Sequence, residues 1–103
     1  MAFTKGEIRG FDALSDSETN VQIFENPSLQ TIEGFSATRD LGSLWIVDNA
    51  KLTEIDGFHL LSRVWGNLSV YDNPLFSQCT ATERFGGVVV DDTRVISPNK
   101  PCP

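Results

Sequence analysis

The stretch VQIFENPSLQTIEGF, residues 21–35, is answered by LWIVDNAKLTEIDGF, residues 44–58, and then by LSVYDNPLF, beginning at Leu68. The copies start 23 and then 24 residues apart. Val21, Leu44 and Leu68 occupy one column; Ile23, Ile46 and Val70 the next; Asn26, Asn49 and Asn73 a third. Leu29 meets Leu52, Ile32 meets Ile55, Gly34 meets Gly57 and Phe35 meets Phe58. Upstream, EIRGFDAL places Ile8, Gly10 and Phe11 in the columns of Ile32, Gly34 and Phe35. Self-similarity at a period of this size is the mark of a repeat architecture, in which each unit buries its apolar side against its neighbours.

Within a copy, Leu44 and Ile46 alternate with Trp45 and Val47, the period of two of a short strand with one face inward. Glu25, Asp48 and Asp72 stand where the alternation would next point inward. Burying a carboxylate there is too costly, so the chain must bend. Asn26, Asn49 and Asn73 follow the bend, and Pro27 and Pro74 suit the turn after it. An inward asparagine satisfies backbone groups that a tight turn leaves without partners, and one per coil makes a ladder. Gly34 and Gly57 permit the next corner, with Phe35 and Phe58 packed just beyond. Strands of successive coils would lie ~4.8 Å apart in a parallel sheet. The alternative, an antiparallel sandwich of short strands, leaves the recurring Asn, Gly and Phe unexplained. The expected fold is mostly β with some α/β character: one short parallel β-solenoid over residues 1–103. Residues 1–20 form a partial first coil and N-terminal cap, 21–78 the repeats and 79–103 a C-terminal cap. Trp65 is the residue inserted between the second and third copies, expected on the outside.

In the C-terminal cap, Thr80 to Phe85 reads as a short helix with Thr80 as N-cap and Glu83 completing a capping box. Gly86 to Asp92 resembles Gly66 to Asp72 and is expected as the last strand. Cys79 and Cys102 are the two cysteines. An even pair framing the end of a small domain suggests a disulfide and an oxidising compartment, worth roughly 3 kcal/mol by loop-closure entropy. Two buried free thiols are the other reading.

The run GSLWIVDNAKLTEIDGF with GNLSVYDNPLFSQC resembles the leucine-rich-repeat modules of bacterial surface proteins and the L domains of the insulin and epidermal growth factor receptors. The shared pattern is Leu-x-Ile-x-x-Asn-x-x-Leu-x-x-Ile-x-Gly followed by Phe or Leu. Asn73 to Cys79 is similar to the terminal repeat of the bacterial group, which also carries a cysteine there. The resemblance spans residues 8 to 79 and implies a solenoid, with adhesion, ligand recognition or spacing as its uses.

The net charge of −6 disfavours a phosphate backbone as partner. No apolar run approaches the ~20 residues of a membrane span. MAFTKGEIRG lacks the apolar core of a signal peptide, so an exported protein would have lost its signal or the chain is part of something longer. His59 is the only histidine and so the only imidazole base for a nucleophilic relay; a surface or half-buried place at a coil corner is expected. No phosphate-loop, nucleophile-elbow or metalloprotease motif is present, so no cofactor and no enzyme activity are expected. The acidic column Glu25, Asp48, Asp72 could hold a calcium ion, but a solvated acidic stripe is the simpler expectation. The outward columns Phe24, Val47, Tyr71 and Gln22, Trp45, Ser69 show more aromatic surface than a strand needs in water. Phe24, Trp45, Val47 and Tyr71 are therefore the expected binding residues, for a protein or a glycan. The function expected is a recognition or adhesion module, extracellular, on the cell surface or in the periplasm. A spacer or a unit self-associating through its open N-terminal coil is the alternative.

Overall fold

A computed structural model describes residues 7–8 and 16–102. The described chain is mostly β, wound into a parallel solenoid of about four turns with one short helix. Its principal sheet sets β2 (Asp16–Phe24) beside β4 (Asp40–Val47), β4 beside β7 (Leu68–Tyr71), and β7 beside β10 (Arg94–Val95), all parallel. A second face stacks β1 (Glu7–Ile8), β3 (Thr31–Gly34) and β5 (Glu54–Gly57), with Ile8, Ile32 and Ile55 in register. A third face joins the start of β4 to β6 (Arg63–Val64) and then to β9 (Val89–Val90). The remaining pair is β8 (Asn73–Ser77) with β11 (Asn99–Lys100). The columns read from the sequence are the actual register: Val21, Leu44 and Leu68 align, as do Ile23, Ile46 and Val70. Gly10 and Phe11 lie outside the described residues.

Inward side chains from every face meet in one core. Ile23, Leu29, Ile32, Leu44, Ile46 and Leu52 are wholly excluded from solvent. Burial of each such side chain contributes about 1.5–3 kcal/mol. Phe35 and Phe58, one coil apart, stack with ring centroids 4.4 Å apart, and Phe85 of the helix packs against Phe58 at 6.1 Å. Phe35 and Phe58 themselves hold left-handed backbones, at φ 52° and 58°. That conformation costs a non-glycine residue roughly 1–2 kcal/mol, and burial of the stacked rings offsets it. The two glycines before them play different parts. Gly34 turns through φ 103°. Gly57 has no such turn, but a Cβ on it would lie 2.5 Å from the Gly34 carbonyl oxygen, so adjacent coils could not approach as they do.

The bend predicted at the acidic column is a left-handed residue on each of the three repeated coils: Glu25, Asp48 and Asp72 have φ of 54°, 57° and 54°. Aspartate visits this region more readily than most side chains. The asparagines that follow are buried and form the predicted ladder. The Asn26 Nδ2 donates to Asn49 Oδ1 at 2.9 Å, and Asn49 Nδ2 to Asn73 Oδ1 at 3.0 Å. Each oxygen also accepts the backbone N–H of the asparagine one coil earlier, at 3.3 and 3.2 Å. Each nitrogen donates backwards as well, Asn49 to Ile23 C=O and Asn73 to Ile46 C=O.

The ladder has a fourth rung that the sequence reading missed. Asn99 Oδ1 accepts from Asn73 Nδ2 at 3.0 Å and from the Asn73 N–H, while its own amide donates to Val70 C=O. The expectation for the last strand is corrected accordingly. Val89–Val90 pairs with Arg63–Val64 on the third face, and Arg94–Val95 takes the place beside Leu68–Ser69. The helix α1 runs from Gln78 to Phe85, and its N-cap is Ser77, not Thr80. The Ser77 hydroxyl accepts from the Thr80 N–H at 3.5 Å, so Thr80 lies inside the first turn. The helix starts earlier because Ser77 ends β8 in extended backbone, as an N-cap requires. Trp65 sits outside, as expected, in a bulge. Trp65, Gly66 and Asn67 stand opposite Gly42 and Ser43, between the aligned pairs Leu41–Val64 and Leu44–Leu68. Cys79 and Cys102 are joined in a disulfide, which ties the start of the helix to the strand carrying Asn99.

Replacing Asn49 by Leu removes both amide donors and the oxygen that accepts from the Asn26 N–H and Nδ2, cutting the buried ladder between the second coil and both its neighbours. A loss of about 3 kcal/mol or more in urea unfolding is expected, against less than ~0.5 kcal/mol for Lys51→Ala on the surface. Opening the disulfide with Cys79→Ser and Cys102→Ser is expected to remove roughly 3 kcal/mol. It should also speed amide exchange first at Asp72 and Asn73, whose N–H groups donate to Pro98 and Asn99; uniform acceleration along the chain would contradict this.

Candidate functional site

On the principal sheet, alternation sends Val21, Ile23, Leu44, Ile46, Leu68 and Val70 inward, leaving the intervening residues to the outer face. Register then sets Gln22 beside Trp45 and Trp45 beside Ser69, with Phe24, Val47 and Tyr71 forming the neighbouring row. Phe24 is 40% exposed. Trp45, Val47 and Tyr71 are partly exposed, whereas Ser69 is buried between its taller neighbours. All four predicted binding residues thus come together. They line an open depression of about 300 Å³, with Gln22, Glu25 and Asp48 completing its wall.

The acidic column borders this face because the left-handed corner directly follows the strand. The backbone of each corner residue is held: Glu25 N–H donates to Val47 C=O, Asp48 N–H to Tyr71 C=O and Asp72 N–H to Pro98 C=O. Their side chains are exposed. No described lysine or arginine pairs with any of the three carboxylates. Among the described residues no group of three His, Cys, Asp or Glu side chains is placed to hold a metal ion.

His59 is exposed at the coil corner. Arg84 Nη1 donates to His59 Nδ1 at 2.8 Å, and His59 Nε2 lies 3.1 Å from Asp56 Oδ1. The same guanidinium nitrogen lies 3.3 Å from His59 Nε2. Arg84 also donates to Gly57 C=O, fastening the helix to the coil. Both ring nitrogens are therefore engaged, and no hydroxyl among the described residues is hydrogen-bonded to His59. A polar hollow of about 330 Å³ beside it is lined by Phe58, Leu61, Thr80, Glu83 and Arg84.

A third cluster escaped the sequence reading. The Arg63 guanidinium lies 3.8 Å from the centroid of the Trp65 ring and donates from Nη2 to both oxygens of Asp91, at 2.9 and 2.8 Å. Arg63 and Trp65 are two apart and share the outer side; Asp91 follows Val90, which pairs with Val64. Aligning VVD (89–91) with RVW (63–65), instead of with the principal strand, would have exposed this trio.

Comparison of the chain with protein-family models, with curated proteins and with solved structures gave no match. What fold and site define together is a short parallel β-solenoid carrying an aromatic, acid-bordered outer face.

Replacing Arg63 by Ala is expected to uncover Trp65 and red-shift its emission in a Trp45→Phe background. Because the pair is partly solvent-screened, stability should fall by no more than about 1 kcal/mol. An unshifted spectrum would show that Arg63 does not cover the ring in solution.

Proposed function

We propose that this chain is a non-catalytic recognition module of a secreted or cell-surface protein, binding a protein or glycan through the face formed by Phe24, Trp45, Val47 and Tyr71. The observation that carries this reading is the convergence of three aromatic side chains from three successive coils on one open depression. Nothing in the packing of the solenoid requires them there: the inward columns already fill the core, and the outward row could be threonine or lysine at no cost to burial. Large, rigid aromatic surface with a polar border is what interfaces use for anchoring residues. The leucine-rich-repeat and receptor L-domain resemblance favours the same reading, since those modules also present a parallel sheet to their surroundings. The Cys79–Cys102 disulfide is compatible with an oxidising compartment outside the cytosol. No helix among the described residues is long and apolar enough to cross a membrane.

A random peptide display library and a panel of oligosaccharides, presented to the wild-type domain and to Trp45→Ala/Tyr71→Ala, test the reading. Binders should weaken at least tenfold on the double variant, which is expected to keep its far-UV circular dichroism. Binders indifferent to both substitutions would remove this face from consideration.

A further inference from the structure

The chain contains its own example of how a guanidinium is held. The Arg63 guanidinium lies over the Trp65 ring at 3.8 Å and donates from Nη2 to both oxygens of the Asp91 carboxylate at 2.9 and 2.8 Å. On the principal sheet the same two ingredients line one depression: the Trp45 and Tyr71 rings, and the Glu25 and Asp48 carboxylates. No described lysine or arginine reaches Glu25, Asp48 or Asp72, and the chain as a whole carries a net charge of −6.

From this charge complementarity we infer that the outer face takes arginine side chains from a basic segment of a partner protein. The inference rests on the recognition reading above and names its ligand chemistry. A guanidinium is planar, stacks on an aromatic face and presents several donors to a carboxylate at once. Lysine offers a point charge without the stacking plane. An uncharged sugar stacks on Trp45 and donates hydrogen bonds but leaves the carboxylates un-neutralised. A bound guanidinium would meet like-charged side chains from neighbouring coils and offset their shared negative charge while making its own contacts.

The test follows the Trp45 indole N–H resonance of the ¹⁵N-labelled domain, assigned with Trp65→Phe. The probes are a short capped peptide of alternating glycine and arginine, its lysine and glutamine counterparts, and maltohexaose. Expected is a saturating shift with the arginine peptide, weaker binding of the lysine peptide, and about tenfold weaker binding, or none, with glutamine. Raising salt to roughly 0.5 M should weaken the arginine peptide severalfold. Asp48→Asn should weaken it about fivefold or more while leaving the fold intact. Glutamine peptide or maltohexaose binding as tightly as arginine overturns the cation assignment and leaves the recognition face standing. A Trp45 resonance that no probe moves also overturns the assignment, and the recognition reading falls with it only when display-library binders are equally indifferent to Trp45 and Tyr71.

Discussion

Where each of the first three coils leaves the principal sheet, the backbone turns through a left-handed residue, and the amide of the asparagine after it falls outside the strand ladder. Buried backbone groups without partners cost 1–3 kcal/mol each, so a solenoid that turned here on sterics alone would lose the gain from its core. The asparagine ladder removes that cost. The amide oxygens of Asn49, Asn73 and Asn99 each take two donors from the coil before, and the amide nitrogens of Asn49 and Asn73 each bridge one carbonyl behind and one amide oxygen ahead. No other side chain of this size combines two donors with an acceptor that takes two bonds. Every coil therefore fixes the corner of its neighbour, and the lateral register of the whole sheet follows.

The same constraint places the site. A left-handed residue ahead of Asn26, Asn49 and Asn73 favours a short polar side chain, and two of the three are aspartates at φ 57° and 54°. A corner at that point necessarily leaves its side chain outside, immediately beyond Phe24, Val47 and Tyr71. Acid beside aromatic is thus partly a consequence of how the chain turns. The aromatic identities are not: Phe24, Trp45 and Tyr71 make no demand on the corner, and this separates a feature of the fold from a feature of the surface.

The principal sheet, its inward columns and three of the four rungs were legible because they rest on exact repetition of side-chain chemistry. The disulfide was legible from cysteine placement alone. The fourth turn was not, although Arg94-x-Ile96-x-x-Asn99 repeats the spacing of Leu68-x-Val70-x-x-Asn73. Its first column is occupied by an exposed arginine, so the apolar column that marks the other coils is absent there. Valines 88 to 90 carried the stronger β signal and drew the last strand to the wrong segment. Local β propensity and sheet position are separate quantities, and only the register of the preceding coils distinguishes the third face from the principal one. The helix start was displaced for a related reason: Ser77 and Thr80 are equally good caps in isolation, and the extended end of β8 decides between them. The four binding candidates were brought together as expected, since alternation and repeat phase determine which side of a strand each faces. The Arg63–Trp65–Asp91 cluster depended on a long-range pairing that repetition did not announce.

Rigidity joins the ladder to the proposed recognition. Phe24, Trp45 and Tyr71 come from strands whose spacing is set by backbone pairing on both sides of β4 and by amide contacts at the adjoining corner. Aromatic side chains have only two rotatable bonds to fix on binding. Little conformational entropy remains to be lost when a partner arrives, and that loss is among the main terms opposing association. The C-terminal end extends the constraint: Asn99 donates to Gln78 Oε1 beside the disulfide, so the last rung is held by the helix as well as by the sheet. A face of only three coils can therefore behave as a preformed surface, because both the apolar core beneath it and the polar ladder at its edge must break before its side chains can move apart.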